Sequence, residues 1–176
     1  MRFCSLKAFA AALFCVATLT PVPAAADHPI RTDTPSGYPV PRFVSLKGDK
    51  TYCRAGPSKA HPIRFTFQKA GAPVMVIAET VDHWRRIKDR EGDVCWAHKT
   101  VLKAQSHAFS TREINILSRP HMDAKVRGRI AGAVLVRTEK EKGGWVRISV
   151  GSLRGWVPGD ALWGHDAPRA LAAAHN

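Results

Sequence analysis

A cysteine and a histidine lie close together in DREGDVCWAHKTVL, residues 89–102. Cys95 and His98 have the side chains of a nucleophile with its general base, or of two ligands of a metal site. A cysteine hydrolase also needs a group that orients the base, and a structural zinc site needs four ligands. With Cys53 added, the number of candidate metal ligands is three at most. The chain also has no C-x-x-C-H haem signature. We therefore predict no enzyme activity, no cofactor and no metal site, and a structural role for Cys95.

The N-terminus has the pattern of a secretory signal peptide. Arg2 and Lys7 accompany the short apolar segment AFAAALFCVATL at residues 8–19, and three alanines at 24–26 fit a cleavage site. The apolar run is shorter than the roughly 20 residues that span a bilayer. We predict that residues 1–26 are removed, that the protein is periplasmic or secreted, and that no membrane span remains. An uncleaved anchor is the alternative.

Loss of the signal peptide changes the cysteine count and the charge. Cys4 and Cys15 leave with it, whereas Cys53 and Cys95 stay. An even pair in an oxidising compartment favours a disulfide, and free buried thiols or a metal or redox site are the alternatives. The remaining net charge is +11, since two of the excess cations behind the total of +13 are lost. This charge favours anionic partners, although nothing in the sequence indicates a specific nucleic acid.

Between a Pro-rich leader (27–41) and a flexible tail (165–176), the sequence repeats itself. Three segments of the first copy correspond in order to three of the second: KAGAPVMV (69–76) to IAGAVLVR (130–137), HWRRI (83–87) to GWVRI (144–148), and CWAHKTVL (95–102) to GWVPGDAL (155–162). Ordered self-similarity of this kind indicates a duplicated unit. We place the units at 42–104 and 105–164.

Each unit consists of short runs in which apolar and polar residues alternate. Examples are IRFTF at 63–67 and WVRISV at 145–150, with turn residues such as KGG at 142–144 between the runs. Closely spaced short runs with period two and glycine-containing turns are typical of small antiparallel sheets. The sequence therefore predicts an all-β protein of two tandem units.

TYCRAGPS (51–58) resembles the opening strand and turn of bacterial SH3 domains, and GWVPGDAL (155–162) resembles the closing strand of SH3 barrels. The segment YPVPRFVSLK (38–47) resembles the entry to a group of secreted bacterial proteins made of tandem SH3-like (SH3b) domains, and the resemblance covers roughly residues 39–163. The resemblance implies two small barrels in which the first and last strands are neighbours, so that Cys53 and Cys95 are within reach of a disulfide. Ile116 and Gly155 occupy their positions in the second unit, which therefore folds without thiols.

The resemblance also implies a function in the cell envelope. We expect a non-catalytic module that binds peptidoglycan peptides or other anionic components, and the alternative is a structural or protein-partner adaptor, with an enzyme or metal protein as a third hypothesis. The candidate ligand-binding residues are Trp84, Arg85, Arg86, Trp96, Trp145 and Trp156. The competing interpretation is that these tryptophans pack and that the arginines keep an edge strand unpaired.

Overall fold

The computed structural model describes residues 29–165 and contains two seven-stranded antiparallel sheets, one for each predicted unit. The all-β tandem fold is therefore confirmed. The predicted signal peptide and the tail beyond His165 lie outside the described residues. Within residues 29–165, no helix has the length and apolar character needed to cross a membrane.

The first sheet has the strand order β3-β2-β6-β5-β4-β1-β7. Its strands are β1 (Arg42–Leu46), β2 (Thr51–Arg54), β3 (Ile63–Phe67), β4 (Pro73–Glu79), β5 (Trp84–Lys88), β6 (Val94–His98) and β7 (Leu102–Ala104). The second sheet repeats this arrangement in the order β10-β9-β13-β12-β11-β8-β14. Its strands are β8 (His107–Ser110), β9 (Ile114–Leu117), β10 (Val126–Ile130), β11 (Leu135–Lys142), β12 (Trp145–Val150), β13 (Leu153–Pro158) and β14 (Leu162–Trp163).

Alternation along the strands determines which side chains form the two cores. Val74 and Val76 in β4 point inward and are almost completely buried, as are Val146 and Ile148 in β12. Side chains two residues apart lie on the same face of a strand, so one face of each of these strands points into the core of its barrel. The two cores are separate clusters of aliphatic residues.

The structure corrects one detail of the internal repeat. Gly71 has φ +80°, and Ala133 has φ +62°. Each donates its N–H to the preceding strand, Gly71 to the Leu46 carbonyl at 2.9 Å and Ala133 to the Ser110 carbonyl at 2.8 Å. Ala133 is therefore the counterpart of Gly71, whereas alignment of the two Ala-Gly-Ala segments places Gly132 there. The match shifts by one residue because an alanine occupies the left-handed turn position.

The leader is more ordered than its prolines suggest. The sequence predicts an extended or mobile segment without a hydrogen-bond ladder, yet Arg31 and Val40 exchange backbone hydrogen bonds of 2.7 and 2.9 Å. Val40 is also 2% exposed. Proline lacks an N–H group, but Val40 lies between two prolines and keeps its own, so the leader closes into a loop against the first barrel.

The linker between the last strand of the first sheet and the first strand of the second consists of Gln105 and Ser106. Ser106 donates its backbone N–H to the Ser45 hydroxyl of the first barrel at 3.1 Å, and Gln105 donates to the Thr138 hydroxyl of the second at 3.2 Å. The Phe43 and Trp163 rings also meet edge to face at 5.1 Å. The connector is thus held by both barrels.

Candidate binding groove of the first barrel

The structure joins Cys53 of β2 to Cys95 of β6 in a disulfide, with Cα atoms 5.5 Å apart. Both residues are almost completely buried. His98 does not serve either sulfur as a base: its Nδ1 lies 2.9 Å from the Thr100 hydroxyl. Because both cysteines of the described region are oxidised, this part of the chain has no thiolate nucleophile.

On the outside of the same barrel lies an open groove of about 800 Å³. It lies between the β2 strand with its following loop and the turn that precedes β5. Its lining combines aromatic, cationic and hydroxyl side chains: Lys50, Tyr52, Arg54, Pro57, Ser58, Lys59, Asp82, Trp84, His98, Thr100 and Val101. We call this surface the β2–β5 groove.

Tyr52 provides the exposed aromatic surface of the groove. It lies between the buried residues Thr51 and Cys53 in β2, and strand alternation turns its ring outward, where the residue is 43% exposed. The Lys50 ammonium lies 5.3 Å from the centre of this ring. A ligand that stacks on Tyr52 therefore lies close to a positive charge.

Arg54 shapes the loop that forms one wall of the groove. Its Nη1 donates to the Lys59 carbonyl at 3.0 Å and to the His61 carbonyl at 2.8 Å. These bonds satisfy two carbonyls of a loop that has no strand partner and hold the loop against β2. Lys59 is exposed in the same loop, so the wall is positively charged.

Trp84 and His98 form the opposite wall. They are direct partners in the β5–β6 pairing, and their rings meet edge to face at 5.4 Å. Burial lowers the pKa of His98, and the nearby His83, Lys99, Lys59 and Arg85 lower it further. His98 is therefore neutral at neutral pH, and its imidazole can accept and donate hydrogen bonds.

The second barrel carries different side chains at the corresponding positions. Arg54 pairs with Trp96 between β2 and β6, and Leu117 pairs with Trp156 between β9 and β13. When the two barrels are aligned by these strand pairings, four groove residues of the first barrel have different counterparts in the second. Lys50, Tyr52, Arg54 and His98 correspond, in that order, to Glu113, Asn115, Leu117 and Pro158. At these four positions the second barrel thus keeps the strand framework but lacks the cations, the tyrosine and the imidazole, while Trp145 remains at the position of Trp84.

The predicted ligand-binding residues are divided between the two faces of the sheets. Trp84 is 8% exposed and is one of the groove-lining residues, while Arg86, which faces the same way, is exposed. Trp96 is half-buried in register between Arg54 and Arg86. Arg85 points inward, where its Nε lies 2.9 Å from Glu79.

Trp145 and Trp156 are half-buried in the second sheet, at the positions that correspond to Trp84 and Trp96. Sequence reasoning missed most of the β2–β5 groove: Lys50, Tyr52, Arg54, Lys59 and His98. The alternation of TYCR around Cys53 was the available signal. A buried cysteine requires its two neighbours in the strand to face outward.

The family model described as bacterial SH3 domain matches residues 47–103 and 110–164. The chain belongs to the bacterial SH3 domain family. The first match covers β2 to β7 and the second covers β9 to β14, that is, the last six strands of each described sheet. The tandem organisation of this SH3 protein is therefore seen in the sequence match and in the structure. No curated protein matches the chain.

Two solved structures are similar to this SH3 protein. NlpC1 from Trichomonas vaginalis is 17% identical with a TM-score of 0.32, and the match covers 70% of this chain and 45% of that one. NlpC2 from the same organism is 16% identical with a TM-score of 0.33, and covers 74% of this chain and 52% of that one. The chain thus spans about half the length of each.

Proposed function

We propose that this protein is a non-catalytic binding module of the cell envelope that recognises acidic peptides of the cell wall. The observation that supports the proposal is the β2–β5 groove, in which the exposed Tyr52 ring lies among Lys50, Arg54 and Lys59. Asp82 is the one acidic residue of the groove lining. A ligand with carboxylates and a flat or apolar portion matches this lining.

Peptidoglycan stem peptides have this chemistry, because they carry carboxylates on a backbone with small side chains. The ligand backbone would lie across Tyr52, while Lys50 and Lys59 attract its carboxylates. His98 supplies a neutral hydrogen-bonding group at the far wall. Tyr52 provides apolar contact that salt does not screen, whereas attraction by exposed lysines weakens as ionic strength rises.

The disulfide supports the cellular location of this function. Structural disulfides persist in oxidising compartments such as the periplasm and the extracellular space, and Cys53–Cys95 is buried within the first core. The basic composition, with a formal net charge of +13 for the whole chain, suits the anionic envelope. We therefore propose that the protein works in the periplasm or outside the cell.

Sedimentation with purified peptidoglycan tests the proposal, with Tyr52→Ala as the diagnostic variant and Asn115→Ala as its matched control. Both residues occupy the same position of their barrels and both point outward. We expect Tyr52→Ala to weaken binding about tenfold, because truncation of an aromatic residue that anchors a ligand commonly costs more than about 1 kcal/mol. Asn115→Ala should bind like the unchanged protein.

The salt dependence separates recognition from charge attraction. Retention that survives raised salt and requires Tyr52 supports the groove. Binding that disappears at moderate salt, or that is equally reduced by both substitutions, would show that the groove does not select the ligand. Thermal unfolding of each variant verifies that the fold is intact.

A further inference from the structure

A second polar cluster lies within the first barrel, away from the β2–β5 groove. Arg42 begins β1, Glu79 ends β4 and Arg85 is the second residue of β5. The Glu79 side chain is 0% exposed and Arg85 is 8% exposed, and both arginines form ion pairs with the same carboxylate oxygen. Two guanidinium groups thus share one carboxylate, and a positive charge is left over in a largely buried place.

The leader completes this cluster. The Ser36 backbone N–H donates to the second oxygen of Glu79 at 3.1 Å, and the Arg42 guanidinium lies 5.5 Å from the centre of the Tyr38 ring. Arg42 also donates to the Pro39 carbonyl at 3.2 Å. The hydrogen bonds from Ser36 and Arg42 explain why residues 36–39 rest against the barrel.

The pKa shifts of Glu79 and Arg85 agree with this arrangement of charges. Burial alone would raise the pKa of Glu79, but the hydrogen bonds from Ser36 and Arg42 and the charges of both arginines outweigh it, so the pKa lies below its ordinary value. Burial lowers the pKa of Arg85, Glu79 opposes this change, and Arg42 adds to it. Arginine nevertheless stays protonated in proteins, so the excess charge persists.

A pocket of about 430 Å³ opens beside the cluster. Arg42 and Arg85 reach its wall, Lys99 and Lys103 contribute two more cations, and no acidic residue lines it. Val44, Val76 and Leu102 provide an apolar surface. Ligand pockets with a few polar groups above an apolar floor commonly have volumes of about 300–1,000 Å³, so the pocket is large enough for a molecule the size of a dipeptide.

We propose that this pocket binds a single carboxylate on a short apolar stem, such as the free carboxy-terminal end of a small peptide. The ligand carboxylate lies against Arg42 and Arg85. It neutralises the second of their two positive charges, because Glu79 neutralises only one. Each arginine has five N–H donors, and Glu79 and the backbone carbonyls engage two on each. The planar guanidinium suits a carboxylate, and the aliphatic side chains accept the stem.

This site is separate from the proposed cell-wall groove, because the two pockets have no lining residue in common. Lys103 and Arg85 belong to one, whereas Tyr52 and His98 belong to the other. Binding at the carboxylate pocket can therefore be present or absent whatever the groove recognises.

Calorimetric titration with N-acetyl-alanyl-alanine, compared with the same dipeptide as its carboxy-terminal amide, tests the proposal. We expect the acid to bind and the amide to bind at least about tenfold more weakly, since hydrogen bonds to a charged group contribute roughly 1.5–3 kcal/mol. Inorganic phosphate should compete weakly. Equal binding of acid and amide, no binding of the acid, or binding of phosphate in preference to it would overturn the assignment.

Two neighbouring arginines of β5 provide matched variants. Arg85→Gln should abolish binding of the acid, while Arg86→Gln, on the exposed outer face, should leave it unchanged. Tyr52→Ala should also leave it unchanged, which separates this site from the groove. Equal effects of Arg85→Gln and Arg86→Gln, or loss of acid binding in Tyr52→Ala, would contradict the proposal.

Loss of Arg85 alters a buried ion cluster, so two further measurements use proteins that keep it. Lys103→Gln removes only an exposed cation and should weaken binding a few-fold in low salt. In the unchanged protein, amide shifts on addition of the acid should change at Val44, Arg85 and Lys103. Shifts confined to residues around Tyr52, or unchanged affinity in Lys103→Gln, would place the ligand elsewhere.

Discussion

In the first barrel the space between the second and sixth strands holds the Cys53–Cys95 disulfide, while in the second barrel the Ile116 side chain lies over Gly155. A Cβ atom added to Gly155 would meet the Leu117 carbonyl oxygen at 2.5 Å and an Ile116 methyl at 2.6 Å. Isoleucine therefore needs glycine opposite it, just as one cysteine needs the other. A covalent bond and an apolar contact fill the same place in two copies of one fold.

The barrels differ in the same way at their surfaces. The first copy has Lys50 and Tyr52 where the second has Glu113 and Asn115, although β2 and β9 occupy equivalent positions. Neither pair contributes to a core, so the framework tolerates both. The comparison shows that the side chains lining this surface can differ between the copies without a change in the strand pairing that supports them.

The largest effect is expected from removal of the disulfide. The Cys53→Ala/Cys95→Ala variant should lower the free energy of unfolding of the first barrel by about 4 kcal/mol, the chain-entropy value for two cysteines 42 residues apart. Denaturation followed by residue-resolved amide exchange separates the two barrels. Ile116→Val is the control in the second barrel and should cost about 1 kcal/mol there. If the double cysteine variant destabilised both barrels equally, this would contradict the prediction that the disulfide stabilises the first barrel in particular.

Next comes the buried carboxylate. Glu79→Gln should destabilise the protein by about 3 kcal/mol, because it leaves two guanidinium groups facing each other without a negative charge. The comparison in the second barrel is Glu139, which contacts Arg147 at 3.5 Å and Arg154 at 2.8 Å but is 18% exposed. Glu139→Gln should have a smaller effect in the same denaturation experiment, since water solvates its arginines.

The same variant has a defined pH dependence. The folded-state pKa of Glu79 lies below its ordinary value of 4.5, so its stabilisation is present above that pH and is lost as the pH falls through the folded-state pKa. Stability of the unchanged protein should therefore decline below about pH 4.5 more steeply than that of Glu79→Gln. Parallel curves would show that Glu79 is not the titrating group.

A smaller loss is expected from Gly155→Ala. The new methyl group overlaps the Leu117 carbonyl and Ile116, and overpacking of this kind costs about 1–3 kcal/mol. Gly48→Ala is the matched control, because nothing lies within 4 Å of a Cβ at that position. Thermal unfolding should show a lowered midpoint for Gly155→Ala alone, and an unchanged midpoint would mean that Ile116 can move aside.

Much of the framework follows from local pattern. Alternation in Trp84–Ile87 assigns Arg86 to one face and Arg85 to the other, and the structure shows this division. The second copy also indicated that Cys53 and Cys95 have a structural role, because Ile116 and Gly155 replace both. These features depend on neighbouring residues or on the repeat, and so they can be predicted from one sequence.

Other features depend on contacts that no local pattern encodes. Arg85 meets Glu79 and Arg42 only when three strands are assembled, so the sequence suggested a surface cation instead of a buried one. Sequence alone also did not reveal that Tyr52 would be more exposed than Trp84, 43% against 8%, because the turn and β6 cover the tryptophan. Ala133 at positive φ likewise hid the true register of the repeat.

The family match begins at residue 47, whereas Ser36, Tyr38 and Arg42 all precede it. A protein shortened to the family boundary would keep the disulfide but lose all of β1, which lies between β4 and β7 and includes the buried Leu46. It would also leave Glu79 without the Ser36 amide and without Arg42. Dissection of the chain along the family border would thus remove a strand that pairs on both sides, together with the residues that hold the Glu79 carboxylate. Expression of the first barrel by itself should start before Ser36.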